Sequence, residues 1–168
     1  MDLIQKLGVD LLHSIGIKDC NCITKNLYIG NYKSSTRNEI EKEKFDVVIN
    51  CSPNLPFHSS KTYNYRISVK DDLSNNSNLL LLDHIKYILP IIHYHIKCNR
   101  KILIHCRAGM QRSCAVTAAY LMKYKYINQE KAKYLIQKQR PIAFMSGSNF
   151  NFCLDLLENN LKRGYITL

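Results

Sequence analysis

No stretch of this chain stays apolar long enough to cross a membrane, which excludes a membrane-spanning role. Internal repeats and low-complexity tracts are missing too, so neither a solenoid nor a disordered array is expected. Metal-ligand spacing is absent: Cys20 and Cys22 have no matching Cys or His pair at zinc spacing, and they read as ordinary thiols. No metal or other cofactor is therefore expected. Acidic residues are scarce, 13 against 24 Lys and Arg, for a formal net charge of +11. Such a surface attracts acidic partners: nucleic acid, anionic lipid, or acidic and phosphorylated protein segments. No block of like charge stands out, and scattered Lys residues make a solvated basic face rather than a nucleic-acid groove. The seven Cys are odd in number and follow no secretory leader, so a disulfide framework is not expected. The expectation is a reduced, cytoplasmic chain.

Its 168 residues suffice for one domain with a real core. Leu3, Ile4, Leu7, Leu11 and Leu12 recur at helical spacing, giving an N-terminal helix and linker over residues 1–19 and a folded domain over 20–168. Short strands are predicted at Ile23–Thr24 and Leu27–Ile29, and a short helix over Ser35–Lys44. Further strands are predicted at Asp46–Asn50, Tyr63–Val69 and Lys101–His105. Residues 71–77 read as a polar loop before a long helix from Asn78 to Lys97, kinked at Pro90. Helices follow over Ser113–Tyr124, from an Asn128 N-cap to Gln139, and over Ser148–Leu161. The fold class is α/β, a single domain with a central mixed, mostly parallel sheet between helices.

The most informative residues are Cys106-Arg107-Ala108-Gly109-Met110-Gln111-Arg112, preceded by the apolar run Ile102–His105 and followed by Ser113. A Cys and an Arg six apart, on a loop leading from strand to helix, form a phosphate trap. Loop amides and the helix N-terminus converge on one spot and attract an anion. The Arg guanidinium grips two phosphate oxygens at once. The same positive field favours a Cys106 thiolate able to attack phosphorus.

His105-Cys106, five residues, Arg112 and Ser113 resemble the signature of the cysteine-dependent protein tyrosine phosphatases. Ala119-Tyr120-Leu121-Met122 resembles the dual-specificity branch in particular. Residues 23–31, 47–52 and 140–142 resemble further ordered pieces of that branch, so the likeness runs from about residue 22 to about residue 160. The resemblance implies a protein phosphatase acting on phosphotyrosine and on phosphoserine or phosphothreonine through a phosphocysteine. Cys106 would be the nucleophile and Arg112 the phosphoryl clamp. Ser113 would assist departure of the thiolate. Arg107, Ala108, Gly109, Met110 and Gln111 would bind substrate mainly through backbone amides, with Gly109 allowing the tight turn. His105 would support the loop through hydrogen bonds rather than act as the base. The general acid would be an Asp about thirty residues upstream. Asp71 and Asp72 both stand there, and the phase of Ile67–Asp72, which is similar to poxvirus-type members, favours Asp71.

One stretch departs from the family pattern. After the Arg140-Pro141 turn the family has Pro-Asn before an aromatic, the Asn bracing the phosphate loop; here the residues are Ile142 to Phe150. Ser146 and Asn149 are the two candidates for that brace. RNA 5′-phosphatases and phosphoinositide phosphatases share the Cys-x5-Arg loop. The former tend to carry a His at the third loop position and Thr-Gly after the Arg, where this chain has Ala108, Ser113 and Cys114. The latter tend to carry Lys within the loop, where this one has only Arg107. A non-catalytic phosphate-binding adaptor is disfavoured by the retained Cys106, Arg112, Ser113 and upstream Asp. The expected partner is a phosphorylated protein, with nucleic acid disfavoured. The apolar stripe of the N-terminal helix must be buried against the parent domain or against a second copy of the chain, and a homodimer is slightly favoured.

Overall fold

The structure, a computed structural model, describes residues 17–145 and 147–164. The predicted N-terminal helix, and Ser146, lie outside those residues. Strands β1 (Cys20–Thr24), β2 (Leu27–Gly30), β3 (Val47–Asn50), β4 (Tyr63–Arg66) and β5 (Ile102–His105) form one sheet in the order β1-β2-β5-β3-β4. β1 is antiparallel to β2, and every other pairing is parallel. The helices are α1 (Arg37–Glu43), α2 (Asn75–Lys97), α3 (Arg112–Tyr124), α4 (Gln129–Gln139) and α5 (Asn151–Lys162).

Alternation along the strands sorts side chains between the two faces. Val47, Ile49, Ile102 and Ile104 join the larger core beneath α2 to α5. Val48 and Leu103 point the other way, to Ile40 and Phe45 beside α1. The four residues of β5 are all buried, as a central strand covered on both faces must be. α3 is buried from Arg112 through Met122, and Ala115, Ala118 and Ala119 let it lie close to its neighbours. In register, Gly30, His105 and Asn50 lie side by side at the carboxyl ends of the parallel strands. Cys106 is the next residue of the central strand, so it emerges where crevices open in such sheets.

The structure moves several boundaries, among them the start of β1, at Cys20 rather than Ile23. α2 begins at Asn75, because the Ser74 hydroxyl accepts the Ser77 N–H at 3.1 Å and draws the polar residues Asn75 and Asn76 into the first turn. The helix then runs through Pro90 without interruption. β4 stops at Arg66, where a strand to Val69 was expected. The Ile67 N–H still bonds Asn50 O at 2.9 Å, but the Val69 N–H turns back to Ile67 O at 3.0 Å. That turn carries residues 70–72 off the sheet edge toward the end of β5. α5 starts at Asn151 rather than Ser148. The Asn128 cap is as expected, with its side chain accepting the Lys131 N–H at 2.9 Å.

Candidate active site

The loop after β5 is shaped from outside, through its carbonyls. Tyr32 N–H bonds Arg107 O at 3.0 Å, and Phe144 N–H bonds Met110 O at 2.8 Å. Arg140 donates Nε to Gly109 O at 2.7 Å and Nη2 to Ala108 O at 3.4 Å. With the carbonyls held outward, the intervening amides turn to the inside of the loop, the arrangement of an anion nest. Gly109 N–H lies 3.3 Å from Cys106 Sγ. Gly109 has φ +67°, and a Cβ there would stand 2.6 Å from both Gly30 O and Arg140 Nη2. Only glycine meets both conditions.

Cys106 is buried, and Ser113 Oγ lies 3.3 Å from its sulfur. Burial pushes the thiol pKa up, but the Arg112 charge and hydrogen bonds from Ser113 outweigh it and hold the thiol below its ordinary value. The other buried thiols go the opposite way. Burial raises Cys51 and Cys114, and pushes Cys153 up to about 12. The thiolate field is thus confined to one sulfur among the four.

Arg112 begins α3 and is 8% exposed. Its Nη1 donates to Val69 O at 3.2 Å, and its Nε lies 3.4 Å from Asp71 Oδ2. A cavity of about 180 Å³ brings Arg112, Arg107 and Asp71 together with Lys70 and residues 52–55. Arg66 holds that opposite rim, donating to Ser52 O at 2.5 Å and to Leu55 O at 2.8 Å.

The two adjacent carboxylates separate. Asp71 reaches the cavity, and the Asn149 side-chain amide donates to its Oδ1 at 2.5 Å. Asp72 turns to the start of α2, where its Oδ1 accepts from Ser74 Oγ at 2.7 Å and from Ser74 N–H at 3.1 Å. Those Ser74 contacts lower its pKa. Of the two brace candidates, Asn149 meets the acid loop, and Ser146 lies outside the described residues.

Two expectations change. Gln111 was read as a backbone contributor, yet its side chain donates to Met145 O at 3.0 Å and to Gly147 O at 2.8 Å. His105 was expected to support the loop by hydrogen bonds. Both its ring nitrogens are buried without a bond of ordinary geometry among the described residues. Burial pushes its pKa down to about 3, against a backbone contact with Cys106 that raises it, so the ring is neutral. Sequence reasoning also missed Arg140, read only as part of a turn. It is fully buried, and its Nη1 donates to Asn21 Oδ1 at 2.7 Å and to Lys18 O at 3.1 Å.

The family described as dual specificity phosphatase, catalytic domain, matches residues 27–160. The candidate tyrosine phosphatase 123R of Invertebrate iridescent virus 6 is 31% identical over 122 residues, covering 73% of this chain and 80% of that protein. Dual specificity protein phosphatase 4 of Gallus gallus is 30% identical over 134 residues, covering 79% of this chain. The chain spans only 34% of the length of that relative. In fold, the chain is similar to the crystal structure of human DUSP28, with TM-score 0.77, 20% identity, and 86% of this chain and 96% of that one covered. The matched stretch runs from β2 into α5 and takes in the whole Cys106 loop: the chain belongs to the family of dual specificity phosphatase catalytic domains.

Proposed function

We propose that this chain hydrolyses phosphotyrosine and phosphoserine or phosphothreonine in protein substrates through a phosphocysteine on Cys106. The observation that carries the reading is the lone lowered thiol among the buried cysteines, beside Ser113 Oγ and Gly109 N–H, on the same loop as the Arg107 and Arg112 that line a cavity with Asp71. In the first step the Cys106 thiolate attacks phosphorus and the P–O bond to the substrate breaks. Asp71 gives its proton to the departing oxygen. Arg112 and the amides of residues 107–111 hold the equatorial oxygens as charge builds on them. In the second step water attacks phosphorus, its proton passes to the Asp71 carboxylate, and the S–P bond breaks. Ser113 Oγ then donates to the departing thiolate. The cavity is smaller than the roughly 300–1,000 Å³ of an ordinary small-molecule site. That size suits one phosphoryl group and the start of its side chain, alkyl or aryl, with the rest of a protein substrate on the surface.

The deciding experiment is a panel of a phosphotyrosine peptide, a phosphothreonine peptide, triphosphate-ended RNA and a phosphoinositide, each with wild type and Cys106→Ser. Turnover of both peptides, absent in the variant, supports the reading; turnover of the RNA or the lipid alone overturns it.

No helix among the described residues is long and apolar enough to cross a membrane. We further infer a cytoplasmic location, supported by seven free cysteines, and a homodimer through the segment that precedes residue 20. Light scattering of the full chain and of a chain lacking residues 1–18 tests the dimer; a monomeric full chain at micromolar concentration overturns it.

A further inference from the structure

We infer that Gln111 and Asn149 are positioning residues for the acid step, a relay that ties the phosphate loop to Asp71; this rests on Asp71 being the general acid. Gln111 stands at the N-cap position of α3 but makes no capping bond with its side chain. Its carboxamide, 8% exposed, goes instead to the segment between α4 and α5. Nε2 donates to Met145 O and Gly147 O, and Oε1 accepts the Asn149 N–H at 3.2 Å. Both amide hydrogens are thereby used, so the side chain holds one rotamer against one loop conformation.

Asn149 is also fixed from its other side. Its carbonyl accepts from Asn78 Nδ2 at 3.1 Å, and Asn78 Oδ1 accepts the Cys153 N–H at 3.0 Å. With N–H and C=O both anchored, the Asn149 side chain projects to Asp71 and donates to Oδ1. The two oxygens of Asp71 thus become inequivalent. Oδ1 accepts the amide hydrogen, which lowers its basicity relative to Oδ2 and favours the transferable proton on Oδ2. Oδ2, 3.4 Å from Arg112 Nε, is the oxygen on the phosphate side. The relay assigns Oδ2 as the atom that delivers the proton to the leaving oxygen. It also makes the acid's position depend on a residue of the phosphate loop itself. Asp71 sits on a segment that has already left the sheet, so no strand ladder holds it, and a 1 Å error there costs on the order of 100-fold in rate.

The test uses the full chain with an alkyl phosphate and with an aryl phosphate whose leaving group needs little protonation. The variants are Gln111→Met, Asn149→Ala and Asp71→Asn, alone and combined. Competition by inorganic phosphate reports on the phosphate loop. Gln111→Met and Asn149→Ala should lower kcat on the alkyl ester about 10- to 100-fold, and less on the aryl ester, with KM and phosphate competition little changed. In the Asp71→Asn background neither should cost anything further, because the acid they position is gone. Equal losses on the two esters, or undiminished losses in the Asp71→Asn background, would overturn the relay while leaving Asp71 as the acid. If Asp71→Asn itself shows no leaving-group dependence, the acid assignment falls, and the relay falls with it.

Discussion

Arg140 Nε donates to the carbonyl of Gly109 across 2.7 Å, from a guanidinium with no solvent exposure at all. A cation buried this completely costs free energy unless its donors are used, and four of its contacts go to Gly109 O, Ala108 O, Lys18 O and Asn21 Oδ1. It joins the back of the phosphate loop to β1 and the segment leading into it. Arg140→Met should lower stability by at least about 2 kcal/mol, because two loop carbonyls lose their donor. It should also weaken competition by inorganic phosphate. Urea unfolding and inhibition assays check the pair; unchanged phosphate competition would show that the loop keeps its shape without the brace.

Cys106→Ser should abolish turnover and keep affinity for phosphate. The hydroxyl is not ionised near neutral pH, whereas the thiol is held below its ordinary value by Arg112 and Ser113 against the opposing effect of burial. Single-turnover assays with trapping of the phosphoenzyme check this. Substantial hydrolysis by the Ser variant would refute the covalent route.

Asp71→Asn should slow an alkyl phosphate by ~10²–10⁴-fold, and Asp72→Asn should be milder. Asp72 is occupied by Ser74 at the start of α2, where its removal costs helix stability rather than proton transfer. Steady-state rates of the two variants decide it, and the reverse order would exchange the roles.

Stability should fall on mild acidification. His105 has its pKa pushed down to about 3 from 6.5, chiefly by burial and further by the charges of Arg66 and Arg112, against a backbone contact with Cys106 that raises it. A depressed histidine is neutral in both states above the unfolded value, so stability is fully present there. Below about pH 6.5 the unfolded chain binds a proton that the folded chain refuses, and stability declines until the folded pKa is reached. One such group costs about 1.4 kcal/mol per pH unit, or about 2 kcal/mol by pH 5. His95, also lowered by burial and by Arg100, acts with the same sign. Urea melts at pH 7.5 and 5 should show the loss, and His105→Asn should make it smaller. An unaltered slope in that variant would assign the loss to other groups.

What the sequence determined by itself is the local chemistry: a strand, a tight loop with Cys106 and Arg112 six apart, and a helix that starts at the Arg. These groups lie within eight residues, so spacing and backbone geometry bring them together without help from the rest of the chain. The central strands were legible as short apolar runs, Val47–Asn50 and Ile102–His105, whose side chains the sheet sorts between two buried faces. Tertiary structure alone decided what crosses long stretches of chain. Whether Asp71 or Asp72 faces the cavity depends on a turn at Ile67–Val69 and on Ser74 capturing the other carboxylate. Arg140 meets Gly109 from 31 residues away, and Asn149 meets Asp71 from 78 away. Gln111 has polar side-chain atoms whose partners belong to another loop, and nothing adjacent to it in sequence indicates them. Hydrophobic periodicity reports which face of an element is buried, whereas a polar side chain's partner is set by where separate elements finally pack, and that is information no local pattern carries.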